Sequence, residues 1–306
     1  MKPATEISPS LPGASAPTPC PGFRVPLFPP HVGIVVVGHG TANPTGAKET
    51  AAVAEQVARL VPGVPVELGF LEVIEPSIDA AVGRLADRGC REVLALPILL
   101  FAAGHAKRDV PSALAEAVSR RGLTVRQAAP LGLHPAIVQL VRRRYTETVS
   151  GLPTLTTAEA LLVVGRGASD PTAVPQFWAL IRRCFATVAR VAVRPVRIGF
   201  VAAARPTLDE AIAALVRPAA GQPVIGRVVV QPHLLFQGHV EHQVSARLEQ
   251  ARGDYPEIEW LQVPRLGPSE EVVRALLDRG CEAAWFGRLP PEAVNPHGKA
   301  VLQNPR

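Results

Sequence analysis

A tandem duplication limits what this chain can fold into more than any other feature. Residues 34–44 read Ile-Val-Val-Val-Gly-His-Gly-Thr-Ala-Asn-Pro, and residues 161–171 read Leu-Leu-Val-Val-Gly-Arg-Gly-Ala-Ser-Asp-Pro. An apolar run, a Gly-X-Gly turn and a proline recur, with His39 replaced by Arg166. A second pair agrees: Leu68 to Glu72, with Pro76 and Asp79, matches Ile198 to Ala202, with Pro206 and Asp209. A third pair matches Pro97–His105 with Pro232–His239, one residue shorter. Whatever unit the first half builds, the second half builds again. The copies differ in their reactive side chains, and the difference points to the first half as the place of chemistry.

Each half alternates short apolar runs with longer amphipathic segments. The first has runs at 32–37, 64–71, 92–101 and 124–128, with helical patterns near 46–61, 76–88, 110–121 and 136–149. The second repeats the order, with runs at 160–164, 191–201, 226–236 and 258–263 and helices near 173–186, 206–216, 240–252 and 269–279. Runs rich in Val, Ile and Leu without clean alternation predict strands buried on both faces, hence parallel sheets covered by helices. Alternation of strand and helix implies right-handed crossovers in an α/β fold. Asp109 before Val110-Pro111 reads as a helix start. Gly89 and Gly122 read as helix stops.

Length and composition set the outer bounds. A chain of 306 residues with 47% apolar residues suits two domains of ordinary size. Nine prolines in the first 30 residues, without periodicity or a signal-peptide pattern, predict a disordered tail over 1–30. A catalytic domain over 31–150, a linker over 151–159, a degenerate copy over 160–289 and a second tail over 290–306 complete the predicted layout. No 18-residue apolar stretch occurs, so no membrane span is expected. Cys20, Cys90, Cys184 and Cys281 stand far apart, which speaks against a cysteine-held cluster or zinc and suits the reducing cytoplasm. A net charge of +6, carried mostly by arginine, favours an acidic partner. Nucleic acid is not expected, since aromatics are only 5% and no basic cluster interleaves with them. The run Arg142-Arg143-Arg144 reads as a solvated helix face.

Three residues of the first half read together. His39, Glu72 and His105 fall at an even spacing, about one β-α unit apart, each just beyond an apolar run. Consecutive parallel strands place such positions along one carboxyl edge, where open α/β sheets bind ligands. Two imidazoles and a carboxylate suit a divalent transition metal, and they also suit proton transfer near neutrality. Glycines at 38, 40 and 104 let a bulky flat ligand approach the backbone closely. The Gly38-His39-Gly40 turn is no dinucleotide or P-loop fingerprint.

These motifs, with Pro97 to Lys107, Asp109 and Pro111, resemble the sirohydrochlorin chelatases of the CbiX type. The resemblance covers the first half nearly end to end, and the second half is similar to a degenerate copy, as in long members. It implies two tandem chelatase-like α/β domains, each a mainly parallel sheet covered by helices, facing across a cleft. It implies a lyase-class metal chelatase that inserts Co²⁺ or Fe²⁺ into sirohydrochlorin without ATP, in cobalamin or siroheme synthesis. His39 and His105 would handle the metal, with Glu72 as third participant. No cofactor is implied beyond the substrate ion. Cobalt is favoured, because the long form resembles the cobalt branch.

Metal insertion into a tetrapyrrole releases two pyrrolic protons, so the site needs ligands that hold the ion without trapping it and bases that take the protons. Sirohydrochlorin bears eight carboxylates. Lys107 and Arg108, next to His105, and Arg166 and Arg205 in the second half are the expected partners for them. With Arg166 for His39 and Ala202 for Glu72, the second half is not expected to insert metal. His233, His239 and His242 form a small cluster there, read mainly as helix-start histidines, and His134 reads as a loop residue lining the cleft. A fused repeat builds both walls itself, which favours a monomer in the cytoplasm. Two rivals stand: a carrier that binds metal or tetrapyrrole without turnover, and a phosphoryl-transfer enzyme with His39 as nucleophile. The carrier has no need of a proton acceptor, and the loop 38–46 offers the phosphoryl-transfer enzyme no arginine.

Overall fold

The computed structural model describes residues 28–101, 104–153, 155–186, 188, 195–217, 221 and 223–286, with only the backbone of 104–107 and 285–286. The expected tails lie outside the described residues, apart from 28–30.

Central strand β1 (Val32–Gly38) is buried at every position. It pairs in parallel with β2 (Val66–Phe70) on one side and β3 (Glu92–Pro97) on the other. Strand β4 (Thr124–Gln127) closes the order β2-β1-β3-β4. The helices are α1 (Pro44–Leu60), α2 (Ile78–Asp87), α3 (Gly104–Ser119) and α4 (Pro135–Val149). Strands β5 (Ala158–Gly165), β6 (Val196–Phe200), β7 (Ile225–Pro232) and β8 (Glu259–Gln262) repeat the plan in the order β6-β5-β7-β8. Their helices are α5 (Ala173–Phe185), α6 (Leu208–Val216), α7 (His239–Asp254) and α8 (Glu270–Phe286). The predicted α/β class with two parallel sheets is what the chain forms.

Helix starts follow local chemistry. Asn43 caps α1, accepting from the Gly46 amide at 3.0 Å, with Pro44 at the first helical position. Thr207 and Glu210 form a reciprocal capping box on α6. Helix α3 departs from expectation. It begins at Gly104, not after Asp109, and runs through Pro111. Proline removes one amide donor, yet Val110, Leu114, Ala117 and Val118 bury one side of the helix against the sheet, and that packing outweighs the local break. Gly89 and Gly122 sit at φ +80° and +65°, the left-handed stops their positions suggested.

One hydrophobic core serves both halves. On the outer face of the first sheet, α2 and α3 cover Val35, Val37, Val93 and Ala95. On the outer face of the second, α6 and α7 cover Leu162, Val164, Val228 and Val230. The inner faces share a third cluster, in which Ile34, Val36, Leu94 and Leu96 of the first sheet join Leu161, Val163 and Val229 of the second through α1, α4, α5 and α8. Helix α8, last in sequence, lies on β3 and β4 of the first sheet. Gly280 makes the close approach possible, since a Cβ there would stand 2.8 Å from the Leu96 side chain. Helix α4, from the first half, packs on α5 of the second, where Tyr145 meets Phe185 edge to face at 5.2 Å. Arg143 of α4 bonds Glu271 of α8 at 2.9 Å. The arginine run is therefore only partly a solvated face: Arg143 and Arg144 join the halves, and Arg142 is exposed.

Candidate functional site

The His39–Glu72 pair arises from strand register. Gly38 stands opposite Phe70, and the parallel ladder continues past both strand ends. The Leu71 amide donates to the Gly38 carbonyl at 2.9 Å, and the Glu72 amide donates to the His39 carbonyl at 3.1 Å. This carries Glu72 alongside His39 until His39 Nε2 lies 3.1 Å from Glu72 Oε1. Gly40 permits the approach. It has φ +100°, and a Cβ on it would overlap the Glu72 carbonyl oxygen. The side chains are 35% and 50% exposed, so a ligand can reach both. A neutral imidazole and a carboxylate at this distance can share a divalent ion, or one can hold the ion while the other takes a proton.

His105 occupies the first turn of α3, just beyond β3, which neighbours β1 in the sheet. Its backbone is thus at the expected carboxyl edge. Its side chain and that of Lys107 lie outside the described residues. Arg108 is exposed in the opening turns of α3. Among the described residues, no group of three or more His, Cys, Asp or Glu side chains converges on one point. Cys90, Cys184 and Cys281 are free thiols, and burial pushes the Cys184 thiol up to about 12.

The second half rebuilds the same frame without the pair. The Val201 and Ala202 amides donate to the Gly165 and Arg166 carbonyls at 3.1 and 2.8 Å. Gly167 has φ +89°, and a Cβ there would overlap the Ala202 carbonyl oxygen. Arg166 is exposed in the place of His39. Arg205 is exposed, and its guanidinium pairs with Glu210 of α6.

The carboxyl-edge loops of the two sheets touch. Glu49 of α1 accepts from the Gln237 amide at 2.8 Å and from Arg265 at 2.6 Å. A Cβ on Gly46 would overlap the Gln237 carbonyl oxygen. From the other side, Phe101 reaches Phe177 and His233 of the second half, with ring centroids 6.1 and 5.5 Å apart. A furrow of roughly 530 Å³ along α4, lined by Val138, Gln139, Arg142, Arg143 and Arg183 among others, contains neither His39 nor Glu72. Its lining also includes Thr146 and Glu147, and no histidine or cysteine.

The histidines of the second half do not cluster. His239 and His242 are exposed in the first turn of α7, with His242 Nε2 3.3 Å from the Gln237 amide nitrogen. His233 is buried between Phe101 and Phe177, and neither of its ring nitrogens has a hydrogen-bond partner among the described residues. His134 is buried. It caps α4, its Nδ1 accepting from the Ala136 amide at 3.2 Å, and its Nε2 lies 3.4 Å from Asp278 of α8. Burial pushes the His134 imidazole below its ordinary value, against the pull of Asp278. Burial alone pushes His233 down to about 3 from an ordinary 6.5. A base depressed in the folded state lends stability above its unfolded value, and that stability is lost as pH falls below 6.5. Between pH 7 and pH 5 His233 should therefore cost the fold about 2 kcal/mol. His233→Ile, which copies Ile98 of the first half, should flatten urea midpoints over this interval by about that amount and leave the smaller His134 effect. Equal slopes in both proteins would contradict the burial.

The sequence profile of the CbiX family matches residues 33–148 and matches again over 160–283. The chain belongs to the CbiX family. Two long relatives are similar over most of their length. A sirohydrochlorin cobaltochelatase of Priestia megaterium is 25% identical over 81% of this chain and 79% of its own. A sirohydrochlorin ferrochelatase of Bacillus subtilis is 28% identical over 82% and 91%. Among solved structures, SirB from Bacillus subtilis with Fe³⁺ superposes with a TM-score of 0.70 at 25% identity, covering 84% of this chain and 96% of that one. The two CbiX segments coincide with the two halves of the duplication, so the long, two-domain CbiX form is the one present. Among the described residues, no helix is long and apolar enough to cross a membrane.

Proposed function

We propose that this protein inserts a divalent metal ion into sirohydrochlorin, consuming the ion as a substrate and needing no further cofactor. The observation that carries the reading is the solvent-reachable His39–Glu72 pair at 3.1 Å, built where the chelatase relatives have their matching segment. In this reading neutral His39 lends a lone pair to the ion and His105 is its second imidazole. Glu72 takes a pyrrolic proton as the metal–nitrogen bonds form. Two protons leave the ring for one M²⁺ gained, and a carboxylate in contact with solvent can pass each on to water. Imidazole and carboxylate bind borderline ions without the grip of clustered thiolates, which suits an ion that must be released into the macrocycle. In this reading Lys107 and Arg108, which follow His105 in the sequence, meet substrate carboxylates.

Co²⁺ and Fe²⁺ are the two ions to weigh. Chain length does not separate them, because the long relatives include both a cobaltochelatase and ferrochelatases. The donor set does not separate them either. The duplicated chain supplies both walls of its own seam, so the working unit in this proposal is a cytoplasmic monomer.

The experiment is an anaerobic absorbance time course of sirohydrochlorin with purified protein, Co²⁺ and Fe²⁺ being supplied in parallel. His39→Ala and His105→Ala serve as controls. Metal-dependent spectral conversion in the wild type, lost in both variants, is the expected result, and the faster ion identifies the preference. A bound-tetrapyrrole spectrum that neither ion converts would replace the enzyme with a carrier.

A further inference from the structure

We infer that the second half carries its own ligand site, converted from a cation receptor into a carboxylate receptor centred on Arg166. The inference rests on the proposed tetrapyrrole substrate for its ligand class, a polycarboxylate, and on the geometry of this chain for its place. The frames of the two halves agree bond for bond: a glycine at positive φ, a strand-end carbonyl received by the partner loop, and a side chain projecting from the residue between the glycines. Into one frame the sequence puts His39 and Glu72, an acceptor set for a metal ion. Into the other it puts Arg166 and Ala202.

The two replacements make sense together. Had a glutamate remained at 202, it would stand where Glu72 stands and would neutralise the arginine. With alanine there, Arg166 is exposed and has no ion-pair partner among the described residues. An unneutralised guanidinium presents a planar donor fork that fits a carboxylate with two parallel hydrogen bonds. The loop also stands in the right place. Gly165 lies on the Phe177 ring, and Phe101, in the segment leading to His105, packs on that same ring. Arg166 is thus one residue from the point where the first half's metal-side loop leans on the second half. In this inference a ligand on the first half's strand ends extends an acidic side arm to it. Arg205, by contrast, has the Glu210 carboxylate beside it.

The test uses the full-length protein and a metal-free octacarboxylate porphyrin, with binding read by fluorescence titration. Three variants are compared: Arg166→Met, Arg166→Lys and Ala202→Glu. Residue 202 is exposed, so a glutamate has room there. Arg166→Met should weaken binding about tenfold or more, and Arg166→Lys should restore part of the loss. Ala202→Glu should weaken binding comparably while leaving the arginine in place, because the new carboxylate occupies it. In turnover assays the KM for the tetrapyrrole should rise in both Arg166→Met and Ala202→Glu, and the KM for the metal ion should not. Wild-type affinity in both variants, or no porphyrin binding by the wild type, would overturn the inference. Weakened binding in the variants, alongside a wild type that never inserts metal, would keep the carboxylate site and discard the chelatase.

Discussion

Gly40→Ala is expected to lower metal insertion about a hundredfold, an effect in kcat rather than in substrate affinity. The added methyl would overlap the Glu72 carbonyl oxygen, and an L side chain resists φ +100° by about 1–2 kcal/mol. The strain can be relieved only by parting the loop after β1 from the loop after β2. That lengthens the bond between the Glu72 amide and the His39 carbonyl and separates the His39–Glu72 pair. Gly167→Ala is the built-in comparison. It meets the same overlap with Ala202 at φ +89°, so it should lose a similar amount of stability. No metal-handling pair stands there to be broken, so turnover should persist, with weaker tetrapyrrole affinity as Arg166 shifts. Thermal melts and kcat measured on both variants separate the cases. Equal kcat losses would mean that the first loop is no more the site of chemistry than the second.

Ending the chain after Ser269 should prevent cooperative folding of the whole molecule, including the first half that precedes the cut by more than a hundred residues. Helix α8 buries Val272, Val273, Leu276 and Leu277 almost completely. At about 1.5–3 kcal/mol for each such side chain, their loss is on the order of 6–12 kcal/mol, as large as the stability of an ordinary domain. The uncovered surface would be the inner face of the first sheet at Leu94 and Leu96, beneath Gly280. Circular dichroism melts check this. The truncated chain should show no sharp transition and should bind hydrophobic dyes. A first half that melts cooperatively without α8 would show that α1 and α4 suffice to cover its sheet.

Much of this was legible in the sequence because it depended on local pattern. Unbroken apolar runs such as Ile34–Val37 gave central strands, and Gly89 and Gly122 marked helix ends. The Gly38-His39-Gly40 turn and Glu72 were recognisable as strand-end positions, and parallel pairing brought them together. Other features depended on contacts between distant segments. Nothing in residues 270–286 says that their apolar stripe serves the first sheet, since either sheet offers an apolar face of the same period. Pro111 looked like a helix start because local propensity ignores the packing of Val110 and Leu114. His233, His239 and His242 looked like one group by number, but the chain runs from a buried position just past β7 to an exposed helix turn. His134 looked like a loop residue, since a histidine as helix cap has no strong signature. Glu49, which fastens the two carboxyl edges to each other, sat unremarked on a helix face because its partners Gln237 and Arg265 are far along the chain.

The crossing of α8 onto the first sheet also bears on why a copy with Arg166 and Ala202 in place of His39 and Glu72 remains in the chain at all. A gene that doubled could ordinarily shed a half that had diverged. Here the second half delivers the plank on which the first half stands, and takes α4 in return. The bond is mutual and mechanical, and it carries no memory of metal. Change at Arg166 and Ala202, exposed at the strand ends, therefore leaves the packing untouched and is limited only by what those residues bind, whereas change along Leu276 and Gly280 is confined by the packing itself. A mutation there would be felt in the chemistry of the other half.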